Sequence, residues 1–499
     1  MAEQRKEGFG YERLGAKRLA LVDVIAQGVG FMGPVFSAAF LIPLVAGIAS
    51  ATGKGAGIAS PFAVILGAVG VFALGWIVSR YARRIHAAGS LYDYVSMGLG
   101  GRTGAVAGWL YYGGTTVLAS AIAVLIGGFI HDTLAAEFHH ALMPGWLWSV
   151  LFVAAVFAVM YLGVQISTRV QLTLSLVSAG VVLLFFLYVI AKVGSGNSLK
   201  AFSPGQSPDG WSGIFFAILY GVLLFVGFET SANLAEETAN PRRAIPRAVL
   251  LTVVIVTVFY VIAAYAQMAG FGFSLKTLSS AAAAPLFALG APKGAGGYGG
   301  VWIDRLLEFV VVLDIAAVGL GAAVASTRGI FALARDRRIP APLAAVSPSR
   351  GTPAGAIAFV SLWSLAMVIL GTTSHAFQLP QQSEYFSLFA WLSSFGGFAL
   401  VVVYAALSVG ALRGLGDAEG KAGIVIAAVL GLAISVGAVF GAIYKVPAPT
   451  NSVPVYAGVW LALGIVVTLL VKGREPASQV LSDLRAEATT AIRGRPGVA

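Results

Sequence analysis

The chain has 499 residues, 58% of them hydrophobic and 11% charged, with a mean hydropathy of +0.88. A soluble protein carries roughly 25% charged residues, so this composition excludes an ordinary soluble globular fold and points to an integral membrane protein. The formal net charge of +11 comes from basic residues set between apolar runs, which reads as a topology signal and not as a nucleic-acid face. The chain has no cysteine, which excludes disulfide and thiolate chemistry. Its five histidines form no spaced metal-binding pair, and the adjacent His139 and His140 read as a loop.

Apolar runs predict twelve spans, at roughly 20–49, 57–79, 103–130, 146–163, 170–193, 211–235, 247–270, 305–333, 354–372, 385–410, 421–442 and 454–472. Each is long enough, or nearly so, for a helix that needs about 20 apolar residues to cross a bilayer. The first is overlong for one straight helix and carries Gly28, Gly30, Gly33 and Pro34 at its centre. Proline removes a donor and clashes with the preceding turn, so a break is expected between Gly28 and Gly33. Non-helical backbone at membrane depth survives only where protein or a cavity satisfies it, which makes the break a candidate site.

Residues 80–102 are expected to form an amphipathic segment on the inner surface or a partly structured loop. Span three follows with Trp109, Tyr111 and Tyr112, read either as interfacial anchors or as deeper substrate contacts. Gly98–Gly101 has no P-loop lysine and no preceding strand, so ATP-driven transport requires a partner chain.

The most informative stretch is 211–247. It starts as an apolar helix, reaches Gly227, places Glu229 beside that glycine, and ends in Glu236, Glu237, Asn240, Pro241 and three arginines. A carboxylate inside a span must face protein or a water-filled cavity. Such an internal polar path is most simply that of a transporter. Span eight adds Asp314, deep in an apolar run, with Glu308 nearer the outer interface. Arg328, Arg335, Arg337 and Arg338 cluster at its far end. A gate is expected there in which Arg328 meets Glu236 or Glu237 when closed.

An even number of spans puts both termini on one side, and 25 of the 32 Lys and Arg fall on that side. Positive residues stay in the cytoplasm, so both termini are expected to be cytoplasmic and the protein to lie in the cell membrane.

Three stretches together resemble the amino acid–polyamine–organocation permeases: GVGFMGPVFS at 28–37, FVGFETSANLAEETANPRRAIPRA at 225–248, and ASTRGIFALARDRRIP at 325–340. The resemblance implies an all-α fold of twelve helices. Its core is a LeuT-like 5+5 inverted repeat, here 20–193 and 211–410, followed by two extra helices at 421–472. A cytoplasmic N-terminal segment at 1–19 and a cytoplasmic tail at 473–499 complete the chain. Helices one and six would be broken and face each other near the midplane, where inverted-repeat transporters bind substrate.

By that resemblance the substrate is an amino acid, with polyamines or other amines and simple exchange as alternatives, and a channel or membrane sensor as remote ones. No enzymatic step and no cofactor are expected, and oligomeric state is not readable. The N–H groups at the helix-one break, among Gly28, Val29, Gly30, Phe31 and Gly33, would suit a carboxylate. Carbonyls at the helix-six break, around Phe225, Val226 and Gly227, would suit an ammonium, with Phe228 and Phe31 facing the side chain. Glu229 would carry a proton, pin the broken helix or serve the gate, or else be permanently hydrogen-bonded for folding. Asp314 has a structural reading and, for a cationic substrate, a binding one. Ala323, Ser326 and Thr327, with carbonyls near Ala26 and Val29, resemble the sodium site of relatives, although such hydroxyls often bond their own preceding turn. Span five lacks the mid-span lysine of some proton-driven members. Sodium, protons and exchange therefore all stand as coupling modes.

Overall fold

The structure is a computed structural model that describes residues 14, 19–48, 54–281, 284–374, 376–379, 383–415, 420–471 and 473. Most of the expected N-terminal segment and C-terminal tail therefore lies outside the described residues. Among the described residues, twelve helices are long and apolar enough to span a membrane: α1 (Leu21–Val45), α2 (Gly57–Ala82), α3 (Gly101–Phe138), α4 (Gly145–Leu162), α5 (Val164–Gly196), α6 (Gly210–Leu234), α7 (Pro241–Gly270), α8 (Val301–Arg335), α9 (Ala354–Thr373), α10 (Glu384–Gly414), α11 (Lys421–Ile443) and α12 (Thr450–Leu470). They follow the expected spans one for one. Helices α1, α3 and α8 are the most enclosed, and α4 and α12 among the least.

Small residues set how closely the helices approach, as expected where packing rather than water drives association. Gly67 of α2 lies against Gly221 of α6, and Gly98 meets the backbone of Gly410 in α10. Residues 80–102 do not lie along a membrane surface. They contain a short helix, Leu91–Leu99, buried along nearly its whole length and packed on α3 and α10. Its aromatic side chains Tyr92 and Tyr94 are enclosed, which is why the segment turns inward. The loop between α7 and α8 carries two short helices, Leu275–Ser280 and Pro285–Gly290.

Both expected breaks are present. The first half of α1, Leu21–Met32, ends at Gly33, which takes a left-handed conformation at φ 56° that an L-residue with a Cβ adopts only at a cost. Pro34 then opens the second half, where its missing N–H costs nothing, and that half passes through a π-helical stretch, Ser37–Leu41. In α6 the α-helix stops at Leu223, Gly227 takes φ 112°, and Phe228–Leu234 continues as a 3-10 helix. The break in α1 thus falls at the last glycine of its run, with Gly28 and Gly30 still helical.

Candidate functional site

The two breaks meet. The Tyr260 hydroxyl of α7 donates between two carbonyls, 2.7 Å from that of Leu224 and 3.2 Å from that of Met32, so one side chain holds the end of each half-helix. The Phe31 ring packs against Gly227 and its backbone against Gly321 of α8. A Cβ on either glycine would lie within 3 Å of Phe31. Ser231, just beyond the α6 break, donates to the Val24 carbonyl at 2.8 Å. Phe225 stands edge-on to Tyr260, Phe228 tilts against Tyr404, and both are buried with Val226. The residues singled out in the two breaks are therefore one packed unit.

Their backbone groups are already engaged in this structure. The N–H groups of Val35 and Phe36, which open the second half of α1, donate to Asp314 Oδ2 at 2.9 and 2.7 Å. The Ser178 hydroxyl of α5 donates to Asp314 Oδ1 at 3.1 Å. The N–H groups left free by the α1 break are thus those of Val35 and Phe36, beyond the expected Gly28–Gly33 stretch, and they hold a carboxylate of the chain itself. At the α6 break, the Phe225 carbonyl accepts from Phe228 N–H at 3.2 Å, and that of Gly227 from Thr230 N–H at 3.0 Å.

Glu229 is fully buried. Its Oε1 accepts from Tyr111 of α3 at 2.5 Å and from Tyr404 of α10 at 2.8 Å, and the backbone N–H groups of Gly227 and Glu229 stand close to the same carboxyl group. A buried carboxylate charge with no cation beside it is costly, and a proton on it removes the charge that burial penalises. The neighbouring Tyr112 donates to the Gly89 carbonyl at 2.8 Å and accepts from Asn233 at 2.8 Å. Tyr111 and Tyr112 are thus deep residues and not interfacial anchors.

The hydroxyls of Ser326 and Thr327 are bonded to α3, to α8 itself and to Arg328. Ser326 donates toward Thr115 of α3 at 3.0 Å and the Ala322 carbonyl at 2.8 Å, and Thr327 donates to the Val324 carbonyl at 3.0 Å. Ala26 and Val29 remain in the helical half of α1, with the Val29 carbonyl accepting from Gly33 at 3.1 Å. The group that does reach α8 from α1 is Gln27, whose amide donates to the Gly321 carbonyl at 2.9 Å and accepts from Gln171 of α5 at 3.1 Å. Sequence reading missed this amide pair, whose Gln171 side chain lies against Gly30. Its only signal was two glutamines inside apolar runs.

Below the breaks lies an ion-pair layer. Arg328 meets Glu237 with Nε to Oε2 at 3.2 Å and Nη2 to Oε1 at 3.4 Å, with side chains 0% and 3% exposed. Arg335 meets Glu236 at 2.7 Å, and Glu236 also accepts from the Ala88 N–H at 3.0 Å. Burial raises the Glu237 carboxyl above the ordinary carboxylate range, against the opposing pull of the Arg328 guanidinium. Both pairs are enclosed, and the Arg328–Glu237 contact is the one expected of a closed gate. The same layer joins the chain ahead of α1 to the end of α6, since Leu19 donates to the Glu237 carbonyl at 3.1 Å and accepts from Ala239 at 3.0 Å.

Known proteins match this architecture. The chain is 32% identical over 342 residues to an uncharacterized transporter of Mycobacterium tuberculosis, covering 68% of this chain and 70% of that one. It is 25% identical over 342 residues to the branched-chain amino acid permease BcaP of Bacillus subtilis, covering 64% and 68%. A solved manganese transporter of Eremococcus coleocola superposes with a TM-score of 0.54 at 14% identity, covering 92% of this chain and 97% of that one, and this likeness speaks for the inverted-repeat, LeuT-like fold. The amino acid permease family profile matches residues 29–474. The chain is a multi-span membrane transporter, not an enzyme, and it belongs to the amino acid permease family.

Proposed function

We propose that the chain is a secondary transporter that carries a small amino acid across the cell membrane by alternating access, with both termini cytoplasmic. The substrate binds between the breaks of α1 and α6, near Gly33, Phe31, Phe225–Phe228 and the side chains packed on them. The observation that carries this reading is Tyr260, whose hydroxyl ties Met32 and Leu224, so that a ligand parting the half-helices acts on both repeats at once. The Arg328–Glu237 and Arg335–Glu236 pairs form the cytoplasmic gate. Coupling by a proton at Glu229 is favoured over sodium at Ser326 and Thr327. Glu229 is a buried carboxyl held by two tyrosine hydroxyls, while Thr327 Oγ1 already accepts from the Arg328 guanidinium at 3.2 Å and Ser326 is bonded to α3 and its own helix.

One observation supports a second reading, a carrier of amines that lack a carboxylate. Asp314 already fills the seat that a substrate carboxylate would take on α1, and its charge would attract a cation. Uptake into proteoliposomes tests both readings, with sodium and proton gradients imposed separately and unlabelled amino acids and amines as competitors. Competition by amino acids and acceleration by an inward proton gradient support the first reading. Competition by amines alone supports the second. Absence of transport for both classes refutes the pair.

A further inference from the structure

Away from the breaks, the bundle contains a cavity of about 480 Å³, within the roughly 300–1,000 Å³ of small-molecule sites. Its walls come from α9 and α12, both packed on α3, and from the turn after α8, with α3 and α10 behind. It is elongated. The lining runs from Tyr456, in the first turn of α12, to Ile339 and Pro340 beyond the opposite end of the bundle, where α8 stops. On α12 alone it extends from Tyr456 to Leu463, about 10 Å at the helical rise of about 1.5 Å per residue. Phe359, Tyr456, Val459 and Leu463 line it and are also exposed at the protein surface, so the cavity opens sideways, at the depth where the bilayer lies against α9 and α12.

An apolar space of this size is far outside ordinary interior packing. Water does not fill an apolar cavity, and in a membrane the adjacent fluid is lipid chain. The rim supplies the second half of the argument. Arg337 is exposed and Arg338 half-buried, and they immediately precede the lining residues Ile339 and Pro340. The Arg338 side chain lies directly against Gly473, just past α12, so a cation bridges the two walls at this end. Basic pockets between spanning helices at a membrane face are suited to anionic headgroups.

We propose that this cavity is a binding site for one anionic phospholipid, with an acyl chain between α9 and α12 and the headgroup phosphate at Arg337 and Arg338. The occupant touches the transport core through Tyr112, which lines the cavity and whose hydroxyl holds Gly89 and Asn233. A bound chain therefore stiffens α3 against the segment that follows the α6 break.

Native mass spectrometry of the full-length purified protein, titrated in detergent with phosphatidylglycerol or with phosphatidylcholine of the same chains, tests this. One high-affinity phosphatidylglycerol site is expected, with phosphatidylcholine weaker by about tenfold or more, as two cations near a membrane face warrant. R337N/R338Q should bring the two lipids to equal affinity; asparagine suits position 337 because Arg337 sits at φ 55°. V459F/L463F, which fills the cavity from its exposed rim, should abolish high-affinity binding of phosphatidylglycerol while leaving the thermal transition in place. Equal affinity of the two lipids for the unaltered protein overturns the proposal, as does undiminished phosphatidylglycerol binding to V459F/L463F. Displacement of phosphatidylglycerol by glycerol phosphate at equal concentration also overturns it, because the anion would then bind without a chain.

Discussion

The gate assignment makes a quantitative prediction. Arg328 and Glu237 are essentially excluded from solvent and bonded in two places. Removing one partner of such a pair leaves a buried, uncompensated charge, at a cost of about 3–5 kcal/mol. If the pair exists only in the inward-closed state, Arg328→Met or Glu237→Gln lowers the free energy of opening by that amount, and the opening equilibrium rises by about 10²- to 4 × 10³-fold. The chain has no cysteine, so Ser231→Cys supplies a sole thiol at a buried position behind the pair. Its modification by a charged methanethiosulfonate follows the open population when reclosing outruns labelling. Both single variants should label faster than the Ser231→Cys parent by that factor, up to the limit set by full opening. Arg328→Met with Glu237→Gln should fall back toward the parent, because neither charge is then buried unpaired. That non-additivity separates a lock from general loosening. Single variants that label at the parent rate, or a double variant that labels fastest of all, would refute the gate.

Three further outcomes follow from the same contacts. Asp314→Ala leaves the Val35 and Phe36 N–H groups without their acceptor and should destabilise the purified protein by about 2–6 kcal/mol, taking about 1–3 for each orphaned group; an unchanged denaturation midpoint would remove the cap from the account. Glu229→Gln should abolish accumulation driven by a proton gradient while leaving substrate counterflow, and proton-driven accumulation at the unaltered level would exclude Glu229 as the carrier. Tyr260→Phe withdraws the shared donor from Leu224 and Met32 and should weaken substrate binding by about 1–2 kcal/mol, measured by competition in detergent, whereas undiminished affinity would detach Tyr260 from the site.

How far the site was legible follows from the range of each interaction. The twelve spans are a matter of local composition, and each apolar run closes its own backbone hydrogen bonds whatever its neighbours do. The breaks are also local, because Gly33, Pro34 and Gly227 act on their own φ angles. Glu229 and Asp314 were legible as residues in need of partners, but a need does not name its partner. Asp314 finds Val35 and Phe36, 279 and 278 positions away, and nothing along the chain encodes that register. Counting arginines as topology markers hid a second role, since Arg328 and Arg335 are also buried structural cations.

The Asp314 contact shows how the two kinds of information combine. Pro34 fixes the start of the second half of α1, so the first free donors must be Val35 and Phe36. A helix start in a buried place requires an acceptor. In a transporter that acceptor is either the cargo or the protein, and the two make opposite demands on substrate chemistry. A zwitterion must displace Asp314 or bind beside it, whereas an amine can use it as found. At the proposed site, the choice between amino acid and amine would fall on two N–H groups and one carboxylate, and family membership alone does not make it.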